Sequence, residues 1–357
     1  MEEITLLLAN GTITTCSLDN DPDLFRAALV SLGSLGVIIR LSMRASPKYT
    51  ISYTTETVSL ERFLAEYDQV WSSATYVRAW WWLYTRKVIV WRGNRTHLPE
   101  TVAKHPASKW YSNFDIGKKV YEASLYALTY TPSLLPSFEK ALFNNQFPAP
   151  ENVVSDPEVD NAHKTLQMDC LFSQYVDEWA VSLNSGVEAI SRLDRWITHR
   201  DTSAGTGIPI NTPTKVYVHA PIEIRVSSGR GDHAFLSPAR EGTPVIWLGV
   251  IMYRPYYSPV AYRKYFSAYE HLMRSLGGKP HWAKQNRMSA AEAEHVFGDG
   301  MTKWLEVRSR VDPSGVFVNG FVKRHLLGIA SPGKENVGVG IMDGESGRLF
   351  KRYRAVL

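Results

Sequence analysis

The chain has 357 residues, 44% of them hydrophobic, and a formal net charge of +5 without a long run of Lys or Arg. A chain of this length forms about two domains with a substantial core, and its mild charge disfavours a nucleic-acid partner. No stretch reaches the roughly 18 apolar residues of a membrane-spanning helix, and Cys16 and Cys170 form no CxxC motif, which disfavours a disulfide framework and a zinc knuckle.

The first 47 residues predict a small sheet with one helix. ITLLLANGTITTCS indicates two strands joined at Asn10-Gly11, which is a strong hairpin signal. DPDLFRAALVSLG indicates a helix with acidic residues in its first turn and Gly33 at its end. GVIIRLSMRA follows as a third strand, and Pro47 marks a predicted boundary.

The middle of the chain alternates between strand and helix patterns. YTISYTTETV, TYVRAWWWLY and KVIVWRG are predicted strands, and SLERFLAEYDQVW is a predicted helix with one apolar stripe. Further helices are predicted around residues 119–129 and 136–143. DCLFSQYVDEWAV fits either a helix or a strand, and GVEAISRLDRWITHR is predicted to be helical.

The last third of the chain returns to strands and ends in helices. TKVYVHAPIEIRV and PVIWLGVIMYRP are predicted strands, and the second is expected to be buried on both faces because it is almost continuously apolar. AYRKYFSAYEHLMRSLGG is a predicted amphipathic helix, and Ser289 and Glu292 form a capping box for another. This order predicts an α+β fold, with a mixed or antiparallel sheet and helices on one face.

Two charged residues stand out in the predicted strand PIEIRV. Residues two apart on a strand share a face, so Glu223 and Arg225 point the same way and Ile224 points into the helix layer. The pair is either a structural ion pair or the lining of a polar cavity over the sheet. The motif alone does not decide between these two interpretations.

The stretch GGKPHWAK places an imidazole and an ammonium three positions apart, just after a predicted helix stop. Pro280 favours an extended backbone before it, and an extended HWAK would put His281 and Ala283 on one face and Trp282 and Lys284 on the other. The simplest interpretation is a packed Trp282 with both polar residues in solvent.

Familiar catalytic signatures are missing from the sequence. It contains no HExxH zinc motif, no GxSxG nucleophile elbow and no P-loop, so we expect no metal centre. The 11 Trp, 18 Tyr and 13 Phe fill a core or form a pocket that stacks on a flat ring.

Eight stretches, in this order along the chain, resemble the aldonolactone oxidases: LLLANGTITTCS, DLFRAALVSLGSLGVIIRLSMR, VRAWWWLYTRKVIVWRGNRT, MDCLFSQYVDEWA, PIEIRV, VIMYRPY, KPHWAK and DPSGVFVNGFVKRHLLG. That family is similar to the vanillyl-alcohol-oxidase-type flavoenzymes, in which an FAD-binding domain precedes a cap that holds substrate against the flavin. The resemblance implies four segments: a remnant of the FAD-binding domain, the substrate (cap) domain, a return segment to the FAD domain and an unassigned tail. Their ranges are 1–47, 48–310, 311–328 and 329–357.

The resemblance also implies residues that bind FAD. Gly33 and Gly36 would approach the flavin where a side chain would clash. Asn319 falls where the chain returns to the FAD domain, and His281 and Lys284 fall beside the flavin ring.

The reaction implied by the resemblance is FAD-dependent oxidation of a sugar 1,4-lactone, of the D-arabinono-1,4-lactone type, with dioxygen as acceptor. The catalytic residues would be Glu223, Arg225 and Lys284. Glu223 is a candidate to accept the hydroxyl proton if its pKa suits, and Arg225 offers a fork of donors for sugar oxygens. Lys284 or Arg225 would stabilise negative charge on the reduced flavin.

The sequence also departs from the family pattern. The family's glycine-rich pyrophosphate loop and flavin-tethering histidine have no counterpart here, so we expect weak FAD binding, little oxidase activity and exposed apolar surface in residues 1–47. The alternative is a flavin-free, non-catalytic cap that binds a sugar or a protein partner. Family members are often mitochondrial and peripherally membrane-bound, and we expect the same location here although the acidic start is no leader sequence.

Overall fold

A computed structural model describes residues 1–101, 115–167, 171–198, 208, 216–239 and 242–329. Cys170 and all of the predicted tail except Ile329 lie outside these residues. The strands in this part of the chain are β1 (Glu3–Leu7), β2 (Ile13–Ser17), β3 (Val37–Ser42), β4 (Thr50–Ser59), β5 (Tyr76–Trp82), β6 (Lys87–Thr96), β7 (Glu158–Asn161), β8 (Gln174–Ser182), β9 (Ile222–Ser227), β10 (Val245–Tyr253) and β11 (Lys279–Pro280).

The α-helices of the same residues lie between and after these strands. They are α1 (Pro22–Ala28), α2 (Leu60–Ala65), α3 (Tyr67–Ser72), α4 (Asp115–Leu128), α5 (Leu135–Gln146), α6 (Ala162–Leu166), α7 (Gly186–Ile197), α8 (Arg263–Ser275), α9 (Ala290–Phe297), α10 (Asp299–Val311) and α11 (Gly320–His325). The strands form a three-stranded sheet of order β2-β1-β3 and an eight-stranded sheet of order β11-β8-β10-β9-β5-β6-β4-β7. The named strands pair antiparallel throughout both sheets, which confirms the predicted α+β class.

The small sheet confirms the predicted hairpin and the predicted start of the helix, but α1 ends at Ala28 and not at Gly33. Leu8 N–H donates to Thr12 O at 2.9 Å across the predicted hairpin, and Gly11 supplies a positive φ of 82°. Asp21 caps α1 through its side chain. The edge strand β3 leaves the apolar side chains of Val37, Ile38, Ile39 and Leu41 exposed, as expected.

The large sheet buries one face under helices. Trp81, Trp179, Ile224 and Leu248 are fully buried on this face and pack in one core cluster with side chains of α2, α3, α7 and α8. Gln174–Ser182, within the stretch that fitted either a helix or a strand, is a strand because it pairs with β10 on one side and β11 on the other. Because Ile224 belongs to the buried cluster under the helices, it points into the helix layer, as predicted.

The predicted helix layer on one face is supplemented by two helices on part of the opposite face. Trp82 and Ile89 pack there against Tyr121 of α4 and Phe143 of α5. The physical reason lies in β5, where Trp80 and Trp82 project from one face of the sheet and Trp81 from the other. Bulky aromatic side chains on both faces need cover on both faces. The rest of this face carries the polar side chains described below.

The predicted return segment lies against residues 1–47. Asn319 Nδ2 donates to Leu32 O at 2.7 Å. α10 reaches the same region along its second half and its middle, since Trp304 Nε1 donates to Val30 O at 3.0 Å and Arg310 bonds Asp21 at 3.0 Å. The boundaries of the four predicted segments stay predictions.

A buried carboxyl group on α5 makes stability depend on pH. Glu139 Oε1 accepts from Tyr84 N at 2.7 Å and Thr85 N at 3.1 Å, next to the β5–β6 turn. Burial raises the pKa of Glu139 from 4.5 to about 7 and outweighs these hydrogen bonds. Because the folded state holds the proton more tightly, this contribution is present below pH 4.5 and is lost as pH rises through about 7.

We expect Glu139→Gln to flatten this part of the pH profile. The substitution removes the ionising group and keeps an oxygen acceptor for the two backbone N–H groups. Urea unfolding midpoints of the wild type should fall between about pH 5 and about pH 8 more steeply than those of the variant. Parallel profiles for the two proteins would contradict the assignment.

Candidate active site

The uncovered part of the large sheet carries a cluster of charged side chains. Glu223 and Arg225 of β9 point away from the buried Ile222 and Ile224, as the alternation predicted. Gly249 of β10 pairs with Glu223 on one side and with Glu178 of β8 on the other. The two carboxylates thus flank a position without a side chain, which leaves room between them.

Glu223 and Arg225 each find a partner on another strand. Arg225 Nε and Nη2 donate to Glu178 Oε1 at 2.9 and 2.7 Å. Nε of Arg78, on β5, lies 3.3 Å from Oε1 of Glu223. The two groups form an ion pair but not a hydrogen bond. The first of the two predicted alternatives, a structural ion pair between Glu223 and Arg225, is therefore replaced by two cross-strand pairs that line one polar surface.

The environment of Glu223 makes its carboxylate a better base. Burial raises the pKa of Glu223, while the positive charges of Arg225, Arg78 and Lys284 oppose that shift. Glu223 Oε1 is buried without a hydrogen-bond partner. The interaction with Lys284 brings this predicted residue into the same cluster.

Residues 281–284 form a turn, so the predicted extended HWAK is wrong. His281 N–H donates to Glu178 O at 2.8 Å, and Lys284 N–H donates back to His281 O at 2.9 Å. Gln285 then forms an isolated parallel bridge with Asp177. These distant backbone partners on β8 override the local preference for extension and place His281 and Lys284 beside the same carboxylates.

His281 is neutral in this setting. Burial lowers the pKa of His281, and the charges of Lys284 and Arg225 lower it further, against the opposing effect of Glu178. Its ring meets the indole of Trp247 edge to face, at 5.5 Å between centroids. His281 therefore lies as an uncharged ring within a charged surface.

Trp282 fixes the turn on its outer side. Its ring stacks on Phe297 of α9 at 5.1 Å, and Nε1 donates to Leu236 O at 2.7 Å. Phe321 of α11 meets the same ring edge to face at 6.1 Å. The packed Trp282 is confirmed, whereas the expected solvation of His281 is not.

The other predicted cofactor residues form a second group. Gly33 has a φ of 69°, and a Cβ there would lie 3.7 Å from Asn319 Nδ2. Gly36 has a φ of 148°, and a Cβ there would lie 2.7 Å from Leu7 O, so its own backbone already requires glycine. Asn319 caps α11 through its side chain. Contact with flavin stays a prediction for all three.

Sequence reasoning missed three members of the cluster: Arg78, Glu178 and Trp247. Each lies in a strand that is otherwise mainly apolar or aromatic. Trp247 has no distinguishing signal in the sequence. For Arg78 and Glu178 the available signal is a charge inside such a strand, because a buried ionised group requires a partner. Its partner could not be named from sequence, since strand order decides which residues meet.

The described residues contain neither a candidate metal-binding group of His, Cys, Asp and Glu nor a helix long and apolar enough to cross a bilayer. The family model for D-arabinono-1,4-lactone oxidase matches residues 41–325. The chain belongs to the D-arabinono-1,4-lactone oxidase family. This assignment confirms the resemblance found in the sequence.

Three curated relatives of the chain are fungal proteins. A Neurospora crassa protein is 34% identical over 346 residues, and the match covers 91% of the chain and 62% of that protein. D-arabinono-1,4-lactone oxidase of Yarrowia lipolytica is 31% identical, and the match covers 89% of the chain and 70% of that enzyme. The Saccharomyces cerevisiae enzyme of the same name is 29% identical, and the match covers 92% of the chain and 71% of that enzyme. The chain thus spans less than two thirds of the Neurospora relative.

Two solved oxidases have a similar fold. Cholesterol oxidase from B. sterolicum superposes with a TM-score of 0.67 at 15% identity, covering 91% of this chain and 68% of that one. Xylooligosaccharide oxidase from Myceliophthora thermophila superposes with a TM-score of 0.52 at 12% identity, covering 94% of this chain and 66% of that one. At these identities the likeness supports the fold alone.

We expect Trp282→Ala to destabilise the protein by about 3 kcal/mol, because it removes a half-buried indole and leaves a cavity. Leu236 O also loses its donor. Trp282→Phe is the control, since it keeps an aromatic ring to stack on Phe297 and fills more of the space than Ala, while it removes the N–H and part of the indole. Chemical unfolding monitored by circular dichroism measures both, and equal stability of the Ala variant and the wild type would refute a packing role.

Proposed function

We propose that this chain forms the substrate-binding side of a flavin-dependent oxidase that acts on a sugar 1,4-lactone of the D-arabinono-1,4-lactone type. Dioxygen is the proposed electron acceptor. The observation that carries the proposal is the convergence of Glu223, Arg225 and Lys284 on one polar surface of a chain from this family.

The charge of the cluster suits FAD as cofactor. Arg78, Arg225 and Lys284 outnumber the carboxylates Glu178 and Glu223 by one, and the lowered pKa of His281 keeps that ring uncharged. A site with excess positive charge favours a ring that becomes negative on reduction. Bound flavin would supply the hydride acceptor.

Flavin contacts are proposed at both groups of predicted residues. Lys284 and His281 would contact the ring from the turn at 281–284. Gly33, Gly36 and Asn319 would contact the cofactor from the segment next to α11. Phe321 and Trp282 support the arrangement, because their ring contact joins α11 to the turn.

Glu223 is the proposed proton acceptor for the substrate hydroxyl group. Its pKa is raised by burial, and its Oε1 has no hydrogen-bond partner to give up before it accepts one. The Arg78 guanidinium at 3.3 Å compensates the carboxylate charge. Protonation of Glu223 would therefore release Arg78 to face the substrate oxygens.

Arg225 is the proposed anchor for a sugar oxygen. Glu178 takes the Nε and Nη2 side of its guanidinium and so fixes the plane of the fork. The Nη1 side then offers donors to substrate. Removing Arg225 would also leave the buried carboxylate of Glu178 unpaired, so activity lost in that variant would include a structural contribution.

Lys284 is the better residue for a test, because no ion pair ties it to a buried partner among the described residues. The purified chain is mixed with FAD, and the absorbance of oxidised flavin at about 450 nm is followed after anaerobic addition of a sugar 1,4-lactone. We expect Lys284→Met to slow flavin reduction about 10- to 100-fold. Lys48→Met, at an exposed lysine in the segment before β4, is the matched control.

The outcomes separate the proposal from its alternative. Flavin that binds and bleaches with lactone, more slowly in Lys284→Met than in Lys48→Met, supports oxidation at this surface. A colourless protein that nonetheless binds lactone supports the flavin-free sugar-binding cap. Equal reduction rates in the two variants would remove Lys284 from the chemistry.

A further inference from the structure

The charged cluster lies in a row of directly opposed side chains that crosses the uncovered part of the large sheet. Arg225 of β9 is paired with Arg78 of β5, and Arg78 is paired with Trp91 of β6. On its other side Arg225 is paired with Trp247 of β10. Directly paired residues of antiparallel strands share a face, so the two guanidinium groups stand between two indole rings. Trp247 meets the ring of His281, whereas the proposed oxidation gives Trp91 no role.

The indole of Trp91 is laid against its own strand. Gly93 provides the space, because a Cβ at that position would lie 2.5 Å from Cη2 of Trp91 and 3.1 Å from its Cζ2. Tyr53 of β4 holds the ring from the side, at 5.7 Å between centroids and an angle of 32° between the ring planes. Trp91 is half-buried in this position, so part of its ring is open to solvent.

Further aromatic side chains surround this ring. Tyr53 of β4 and Tyr76 of β5 are both paired with Gly93, so they flank that glycine on the same face. The hydroxyl group of Tyr49 lies 3.1 Å from that of Tyr76, which joins a fourth ring to the group. All four aromatic residues are half-buried. We call them the aromatic surface: Tyr49, Tyr53, Tyr76 and Trp91.

Packing against the helices of this face does not account for the aromatic surface. α4 and α5 cover Trp82 and Ile89 in a cluster that, among the described residues, contains none of the four rings. Ile89 and Trp91 are two apart on β6 and share a face, so the helical cover ends close to Trp91. Several partly exposed aromatic rings in one place indicate a binding site.

A sugar ring is the ligand that this surface suits. One side of a pyranose presents C–H groups, which are attracted to the electron-rich face of an aromatic ring, and its rim presents hydroxyl groups. Arg78 lies directly beside Trp91 and can donate to such hydroxyl groups, since its side chain is 21% exposed. Aromatic rings with a few polar groups beside them are the usual lining of a small-molecule site.

The strand order sets the distance between the aromatic surface and the proposed lactone site. Because neighbouring strands are about 4.8 Å apart and β6 is the second strand from β9, the backbone of Trp91 lies about 10 Å across the sheet from that of Arg225. A single lactone ring does not span this distance, whereas two linked sugar rings do. A ligand that uses both residues therefore carries a second ring.

We propose that the aromatic surface is a subsite for a second sugar ring and that the substrate is a glycosylated 1,4-lactone. This inference rests on the proposed function, because it names the substrate class of the same site. On a pentono-1,4-lactone the glycosyl group would be carried by O5, which lies outside the lactone ring and leaves the C2 hydroxyl group free to meet Glu223. Trp91 then determines specificity and takes no part in the chemistry.

The test is isothermal titration of the full chain, without FAD, with D-arabinono-1,4-lactone and with its 5-O-glucosyl derivative. We expect the glucosyl derivative to bind about tenfold more tightly, because its second ring covers the Trp91 indole. Trp91→Ala should remove this gain and leave the Kd of the simple lactone unchanged. Tyr130→Ala, at an exposed tyrosine outside the aromatic surface, is the matched control and should retain the gain.

Two further measurements complete the comparison. If Trp91→Ala does not fold, Trp91→Leu keeps apolar bulk beside Gly93, lacks the flat ring and should also lose the gain. FAD is titrated into the same variants, with flavin fluorescence as the readout. Its Kd should equal that of the wild type, because Trp91 is assigned to substrate and not to cofactor.

The outcomes separate this inference from the proposed function. Equal affinity for the two lactones, a gain that survives in the Trp91 variants, or weaker FAD binding in those variants would overturn the second subsite. Flavin reduction by the simple lactone would still support the oxidase in each of these cases. A gain that Trp91→Ala removes, with no flavin reduction by either lactone, would support the subsite and reject the oxidase. Failure of both lactones to bind would overturn both.

Discussion

The polar surface of this protein depends on one buried carboxylate and the cation that compensates it. Glu178 is 3% exposed in the middle of β8, where an unpaired negative charge would be costly. Arg225 reaches across from β9 with two donors at 2.9 and 2.7 Å. This pairing turns Arg225 toward Glu178, so that Glu223 takes Arg78 as its partner instead.

The same residue also positions the turn that carries Lys284. The backbone carbonyl of Glu178 accepts from His281 N–H, which fixes where the chain bends after β11. The side chain and the main chain of Glu178 therefore serve two different parts of the surface. A substitution at position 178 would leave the Arg225 guanidinium without its carboxylate, whereas the backbone carbonyl that accepts from His281 N–H would remain.

Aromatic packing joins this surface to the region of the N-terminal sheet. Trp282 lies behind the turn and contacts Phe321 of α11, whose first residue follows the cap Asn319. The Asn319 side chain in turn bonds Leu32 O. Residues far apart in sequence are thus held in one continuous series of contacts.

The sequence by itself determined the features that depend on neighbouring residues. Asn10-Gly11 formed its hairpin, Ser289 and Glu292 formed their capping box, and the alternation in PIEIRV put Glu223 and Arg225 on one face, because each is set by local backbone geometry. Family resemblance then pointed to the chemistry. It did not reveal how the charges pair.

Only the tertiary structure decided the partners and the shape of the turn. Glu178 of β8 is 47 positions from Arg225 of β9 in the sequence. Their side chains meet because the sheet order leaves only β10 between these two strands. The turn at 281–284 bends because its N–H acceptor is a carbonyl on β8. Strand order and distant backbone acceptors arise from packing of the whole chain, so no pattern within a single segment contains them.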